Sequence, residues 1–110
     1  MGSHIYHITS EREATQAQTS SEYTPADFDR EGFIHCSYPN QLDGVIKRRF
    51  AGRPDLVLLE IDTTRLTCKI VDENLEGGTE LFPHIYGRLP MSAVKIRSIR
   101  SIPGLSFPPI

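Results

Sequence analysis

Three histidines, each in a short motif with a hydroxyl-bearing neighbour, are the residues of this sequence best suited to chemistry. They are His7 in Tyr6-His7-Ile8-Thr9, His35 in Gly32-Phe33-Ile34-His35-Cys36-Ser37, and His84 in Phe82-Pro83-His84-Ile85-Tyr86-Gly87. Imidazole exchanges protons near neutral pH, so each can serve as acid, base or positioning group. Thr9, Ser37 and Tyr86 supply hydroxyls beside them, and convergence of such groups would form a ligand pocket of the ordinary kind. Glu73 and Glu80 flank the Gly77-Gly78 loop, where either could accept a hydrogen bond from a histidine or a sugar hydroxyl. Each residue also has a structural reading. A histidine among apolar strand residues packs and is hydrogen-bonded, Ser37 caps the following helix, and Pro83 with Gly87 shapes a rigid loop or corner.

Other chemistries find less support. There is no H-E-x-x-H, C-x-x-C or H-x-H pattern, so no metal is expected. A zinc hydrolase built on His7, His35 and His84 is the weakest alternative. Glycine patterns of the dinucleotide-fold and phosphate-loop kind are absent, as is a nucleophile-elbow serine. Cys36 adjoins His35, but neighbouring strand residues point to opposite faces, which argues against a Cys–His pair. Lys47, Arg48, Arg49 and Arg53 gather locally, as either a solvated helix face or a phosphate site.

The elements that must position these groups follow from periodicity. Ile5–Ile8 reads as a strand with Tyr6 and Ile8 on one face and Ile5, His7 and Thr9 on the other. Ser10 and Glu13 match a capping box that opens a helix over Glu11–Gln18. Thr19 to Arg30 is polar and contains Pro25, so a loop with one helical turn is expected. Phe33–Cys36 is the second strand. His35 stands at its end, where the first amides of a helix opened by Ser37 and Pro39 would favour an anion. Leu42, Val45, Ile46 and Phe50 have helical spacing, and Gly52 and Pro54 end that helix. The apolar run Leu56–Ile61 predicts a buried central strand, followed by a turn at Asp62-Thr63-Thr64 and a strand over Cys68–Val71. Glu76–Thr79 is loop, and Ala93–Ile99 alternates as an edge-side strand. The fold class is therefore α+β: a small mixed, split sheet with two or three helices.

A length of 110 residues fits one domain that buries a modest core without disulfides. Residues 1–4 read as an expression scar, which sets His4 aside; 5–100 form the domain and 101–110 a proline-rich irregular tail. Phe107 to Ile110 could dock on a neighbouring subunit, and the oligomeric state is left open. Twelve basic and fourteen acidic side chains give a formal charge of -2, no footprint for DNA. No apolar run reaches membrane-spanning length, and two unpaired cysteines fit a reducing compartment, so the expected location is cytoplasmic.

Ile5 to Ile8, Glu31 to Ser37, Leu56 to Asp62 and Phe82 to Gly87 together resemble a bacterial family, domain of unknown function 952. More distantly, the first-strand histidine, the His-x-Ser before a helix and the apolar strand ending in Asp62 resemble the RNA 2′-phosphotransferase branch of the ADP-ribosyltransferase superfamily. That resemblance implies a split mixed sheet and NAD as substrate in its cleft. His7 and Thr9 would meet the adenosine or nicotinamide-ribose side, His35 and Ser37 would hold ribose or phosphate, and His84, Tyr86 or Glu73 would complete the cleft. Tyr6 stands where those phosphotransferases carry arginine, which moves the reading from RNA chemistry to a related nucleotide cleft. The expected function is an ADP-ribosyltransferase-like enzyme or NAD/ADP-ribose-binding protein with His35, His84 and Glu73 as catalytic candidates. The alternative is a non-catalytic module that binds a small ligand or a partner.

Overall fold

The computed structural model describes residues 4–99; Met1 to Ser3 and the proline-rich tail lie outside them. Among the described residues, eight strands and three α-helices follow the order β1 (His4–Ser10), α1 (Glu11–Ser20), β2 (Glu22–Tyr23), α2 (Phe28–Glu31), β3 (Ile34–His35), α3 (Leu42–Arg49), β4 (Leu56–Asp62), β5 (Lys69–Glu73), β6 (Phe82–Tyr86), β7 (Leu89–Pro90), β8 (Val94–Ser98). The α+β class is as the sequence implies. The strands divide among antiparallel sheets ordered β1-β4-β8, β3-β6-β5 and β2-β7. Tyr6 and Ser37 join the first two sheets through an isolated bridge, exchanging backbone bonds of 2.8 and 2.7 Å.

Strand β4 is apolar almost throughout because both its faces are covered. Leu59 and Ile61 pack with Ile5, Ala14, Ala17, Ile34 and Ile85 in one cluster. Leu58 and Leu56 pack with Tyr6, Ile8, Leu42 and Ile46 in the other. The expected alternation of β1 is thereby realised, with Ile5 and Tyr6 in opposite cores. Helix α1 covers one face of β1-β4-β8 through Ala14 and Ala17, and α3 covers the other through Leu42 and Ile46. Ser10 caps α1 by accepting the Glu13 amide at 3.1 Å, as the capping box predicts. The Glu13 carboxylate turns instead to the Thr9 and Ser10 hydroxyls.

Three sequence expectations are corrected. Ser37 does not cap the next helix. Pro39 favours extended backbone in the residue before it, and Tyr38 adopts φ -75 and ψ 159. The chain therefore enters a 3₁₀ turn at Pro39–Gln41 and reaches α3 only at Leu42, while the Tyr38 amide donates to Gln41 Oε1 at 2.9 Å. Phe82 to Gly87 is not a loop: Phe82–Tyr86 is the central strand of its sheet. Pro83 lies within it, its carbonyl accepting the Cys36 amide at 3.0 Å and its ring fully buried. The segment Thr19 to Arg30 carries the predicted helical turn, but also β2, paired with β7. Gly52 adopts φ +81, the left-handed turn expected after α3.

Candidate functional site

The three histidine motifs converge. His35 on β3 is the direct ladder partner of His84 on β6, and Val71 on β5 lies on the other side of His84. Their rings meet edge to face with centroids 5.0 Å apart. Phe33 is the packing surface for the group: it stacks on His84 at 4.3 Å and touches His35 at 4.8 Å and Tyr86 at 5.3 Å.

His84 and His35 each pair with a carboxylate. His84 Nδ1 donates to Glu73 Oε2 at 2.8 Å, and Tyr86 donates to the same oxygen. These two donors, Tyr86 first, hold the Glu73 carboxyl below its ordinary range, and Glu73 in turn pushes the Tyr86 phenol up. With Nδ1 committed, neutral His84 presents Nε2 as a lone pair, the arrangement of a general base held by its carboxylate. His35 Nε2 donates to Glu31 Oε1 at 3.0 Å, four residues back at the end of α2. His35 is half exposed, whereas His84 is buried. Glu80, the other carboxylate considered from sequence, accepts from Gln41 Nε2 at 3.2 Å instead.

His7 is tied to the same group through the backbone. Its Nδ1 donates to the His35 carbonyl at 2.5 Å, and its Nε2 meets the Tyr23 hydroxyl at 2.8 Å. Tyr23 continues to Thr9 at 3.3 Å, and Thr9 donates to Glu13 at 2.8 Å. Tyr23, Glu13 and Glu31 are site residues that the sequence reading did not single out. Tyr23 is one of two aromatics, with Phe28, in the polar stretch Thr19 to Arg30, and that was the one signal available. Tyr6 donates to Glu60 at 2.7 Å, and burial together with this bond pushes its phenol up to about 12.

Burial holds His7 neutral, lowering its pKa from 6.5 despite the opposing bond to the His35 carbonyl. Between 6.5 and the lower folded value, the unfolded chain binds a proton at this position and the folded chain does not. Stability therefore falls as pH drops through that window and is unaffected above it. Glu73, Glu60 and Glu76 lose their contributions only below their ordinary value of 4.5. Urea midpoints compared near neutrality and at about pH 5.5 should show the loss that His7 contributes. A flat profile across that interval would show that His7 titrates equally in both states.

All of this opens on one cleft of about 420 Å³ where the β1 and β3 sheets part beyond the Tyr6–Ser37 bridge. His7, Thr9, His35, Ser37, Glu73 and His84 line it, and Tyr86 adjoins it through Glu73. Of the local basic group, Lys47 pairs with Asp43 on the helix surface, while Arg48, Arg49 and Arg53 line the cleft. Cys36 is buried and its thiol pushed up, so the Cys–His pair is absent, as the strand alternation implies. Among the described residues, no three His, Cys, Asp or Glu side chains are grouped to hold a metal ion. Nor is any described helix long and apolar enough to cross a membrane.

The chain is similar to protein CC0527 from Caulobacter crescentus in two solved forms. The crystal structure is 32% identical with a TM-score of 0.74, covering 84% of this chain and 82% of that one. The solution NMR structure is 32% identical with a TM-score of 0.71, covering 84% and 79%. No curated protein matches the chain. The family described as protein of unknown function (DUF952) matches residues 8–96, which begin just after the first-strand histidine and include both later histidine motifs. By that match and by its likeness to CC0527, the chain belongs to the DUF952 family.

Proposed function

We propose that the cleft binds an NAD or ADP-ribose-type nucleotide and transfers or hydrolyses its ribosyl group, in the manner of an ADP-ribosyltransferase-like enzyme. The observation that carries this reading is the pairing of His35 with Glu31 and of His84 with Glu73 and Tyr86 in one cleft between two splayed sheets. In this reaction the ribosyl C1″–N bond breaks, and its electron pair leaves with nicotinamide. The oxocarbenium-like ribose is stabilised by the carboxylate-rich wall. Water or an acceptor hydroxyl attacks C1″ and gives its proton to His84 Nε2. His35 positions the ribose, and Ser37 and Thr9 accept or donate to its hydroxyls. A second reading is a small-ligand binding module without turnover. It is favoured by the complete engagement of Glu73 with Tyr86 and His84, which leaves that carboxylate as an anchor rather than a free base.

Thermal stabilisation by NAD, ADP-ribose and nicotinamide tests the proposal, with wild type and His35→Ala side by side. A ligand at a hundred times its dissociation constant adds roughly 2.7 kcal/mol. NAD and ADP-ribose should raise the wild-type Tm, and His35→Ala should fold and lose the shift. Nicotinamide release then separates enzyme from module. Stabilisation by none of the three would remove the NAD reading in favour of a different small ligand.

A further inference from the structure

The cleft has a cationic end that the histidine chemistry leaves unused. Arg48 and Arg49 lie in the last turn of α3, and both line the cleft. Arg48 makes no hydrogen bond or ion pair among the described residues, and its guanidinium lies back over Gly44, in space a Cβ at that position would reach within 2.9 Å. Arg49 is paired with Glu76, 27 residues away, and both side chains are half exposed.

Glu76 is presented by a loop with its own internal order. Asn74 Oδ1 accepts the amides of Glu76 and Gly78 at 2.9 and 3.0 Å, and its Nδ2 donates to the Glu80 carbonyl at 2.7 Å. Gly77 supplies the left-handed residue at φ +88. Asn74, Leu75 and Glu76 all face the cleft, and Leu75 is 59% exposed there. Glu76 therefore lines the same cleft as Arg48, Arg49, His35 and His84, and its carboxylate is paired with Arg49. A negative group of a ligand whose sugar contacts the histidines would occupy this same region.

We propose that Arg48 and Arg49 form the phosphate-binding end of the cleft and that Glu76 competes with the ligand's phosphate for Arg49. The assignment rests on the nucleotide reading of the cleft and narrows it to ligands carrying a phosphate or diphosphate next to the sugar. Arg49 can exchange partners readily. An exposed ion pair is weak, whereas a guanidinium holds phosphate oxygens through two parallel charge-assisted bonds.

Pyrophosphate is the probe, titrated by calorimetry into wild type, Arg48→Gln, Arg49→Gln, Glu76→Gln and the Arg49→Gln/Glu76→Gln double variant. All the altered side chains are surface groups, and matched urea midpoints establish that the variants fold. Pyrophosphate should bind wild type, about fivefold more tightly to Glu76→Gln, and about tenfold more weakly to each arginine variant. Glu76→Gln should add nothing in the Arg49→Gln background. Unchanged or weaker binding to Glu76→Gln, or arginine variants that bind like wild type, overturns the assignment, as does pyrophosphate failing to bind Glu76→Gln. Nicotinamide riboside, which carries no phosphate, is titrated in parallel. If it binds while pyrophosphate fails, the histidine cleft stands and the phosphate end is removed. If pyrophosphate behaves as expected while the nucleoside fails, the phosphate end stands and the nicotinamide nucleotide reading falls.

Discussion

His7→Ala should lower folding stability by roughly 3 kcal/mol, the sum of an unsatisfied-partner cost and a cavity cost. The ring is buried, both its nitrogens are bonded, and it packs against Tyr23 with centroids 5.1 Å apart. Alanine would strand the His35 carbonyl and leave the Tyr23 hydroxyl only its 3.3 Å bond to Thr9, at the point where β1 supports β3. Urea denaturation reads the effect directly. A loss below about 0.5 kcal/mol would mean that water from the cleft replaces both bonds at little cost. The contrast with His35→Ala is part of the expectation. Half-exposed His35 has a single side-chain bond, to Glu31, and its removal should fall within the small range of surface substitutions. One histidine is then mainly a support and the other mainly a contact group, although they sit on the same cleft.

Leu59→Ala should cost about 2–5 kcal/mol, the range for emptying a leucine site in a packed core. Leu59 is fully buried at the middle of β4, with His7 of β1 and Ile96 of β8 as its ladder partners. Each kcal/mol shifts Tm by roughly 4–8 °C in a domain of this size, so the variant should melt far below wild type. A Tm within a few degrees of wild type would show that the cluster around Ile5 and Ile61 repacks. The same variant also tests the cleft. His7 stands directly opposite position 59, so ligand affinity should fall along with stability if the β1 wall shifts.

What could be read from the sequence was what repeats. Strand β4 announced itself because both its faces are covered, and α3 because Leu42 and Ile46 recur on one side. The histidine motifs were legible as motifs because aromatic, glycine and hydroxyl residues crowd around them. Strands β2 and β7 were not legible, since two residues are too few to show any alternation. With β2 went Tyr23, and with Tyr23 the connection from His7 to Thr9 and Glu13. The direction of the arginines was hidden for another reason. Lys47, Arg48 and Arg49 are adjacent in sequence, and successive helix residues point about 100° apart, so composition cannot say which of them faces a cleft. Only the packing of α3 on Tyr6 and Ile8 fixes that rotation. Ser37 was misplaced because a serine before a proline looks like a cap, while Pro39 itself displaces the helix start.

The alignment of β3 against β6 rests on two ladder pairs and the Cys36–Pro83 bond, yet it decides which side chains meet. Side chains alternate along a strand, so shifting that alignment by one residue would carry His35 to the face now held by its neighbours. Every residue of the cleft would still be present in such a chain, in the same motifs, and the cleft would be gone. For relatives of this protein, then, the number of residues between Gly32 and the bridge at Ser37 matters to the cleft as much as the histidines do, and a sequence that keeps the glycine, the histidine and the serine while altering that count should be read as having lost the cleft.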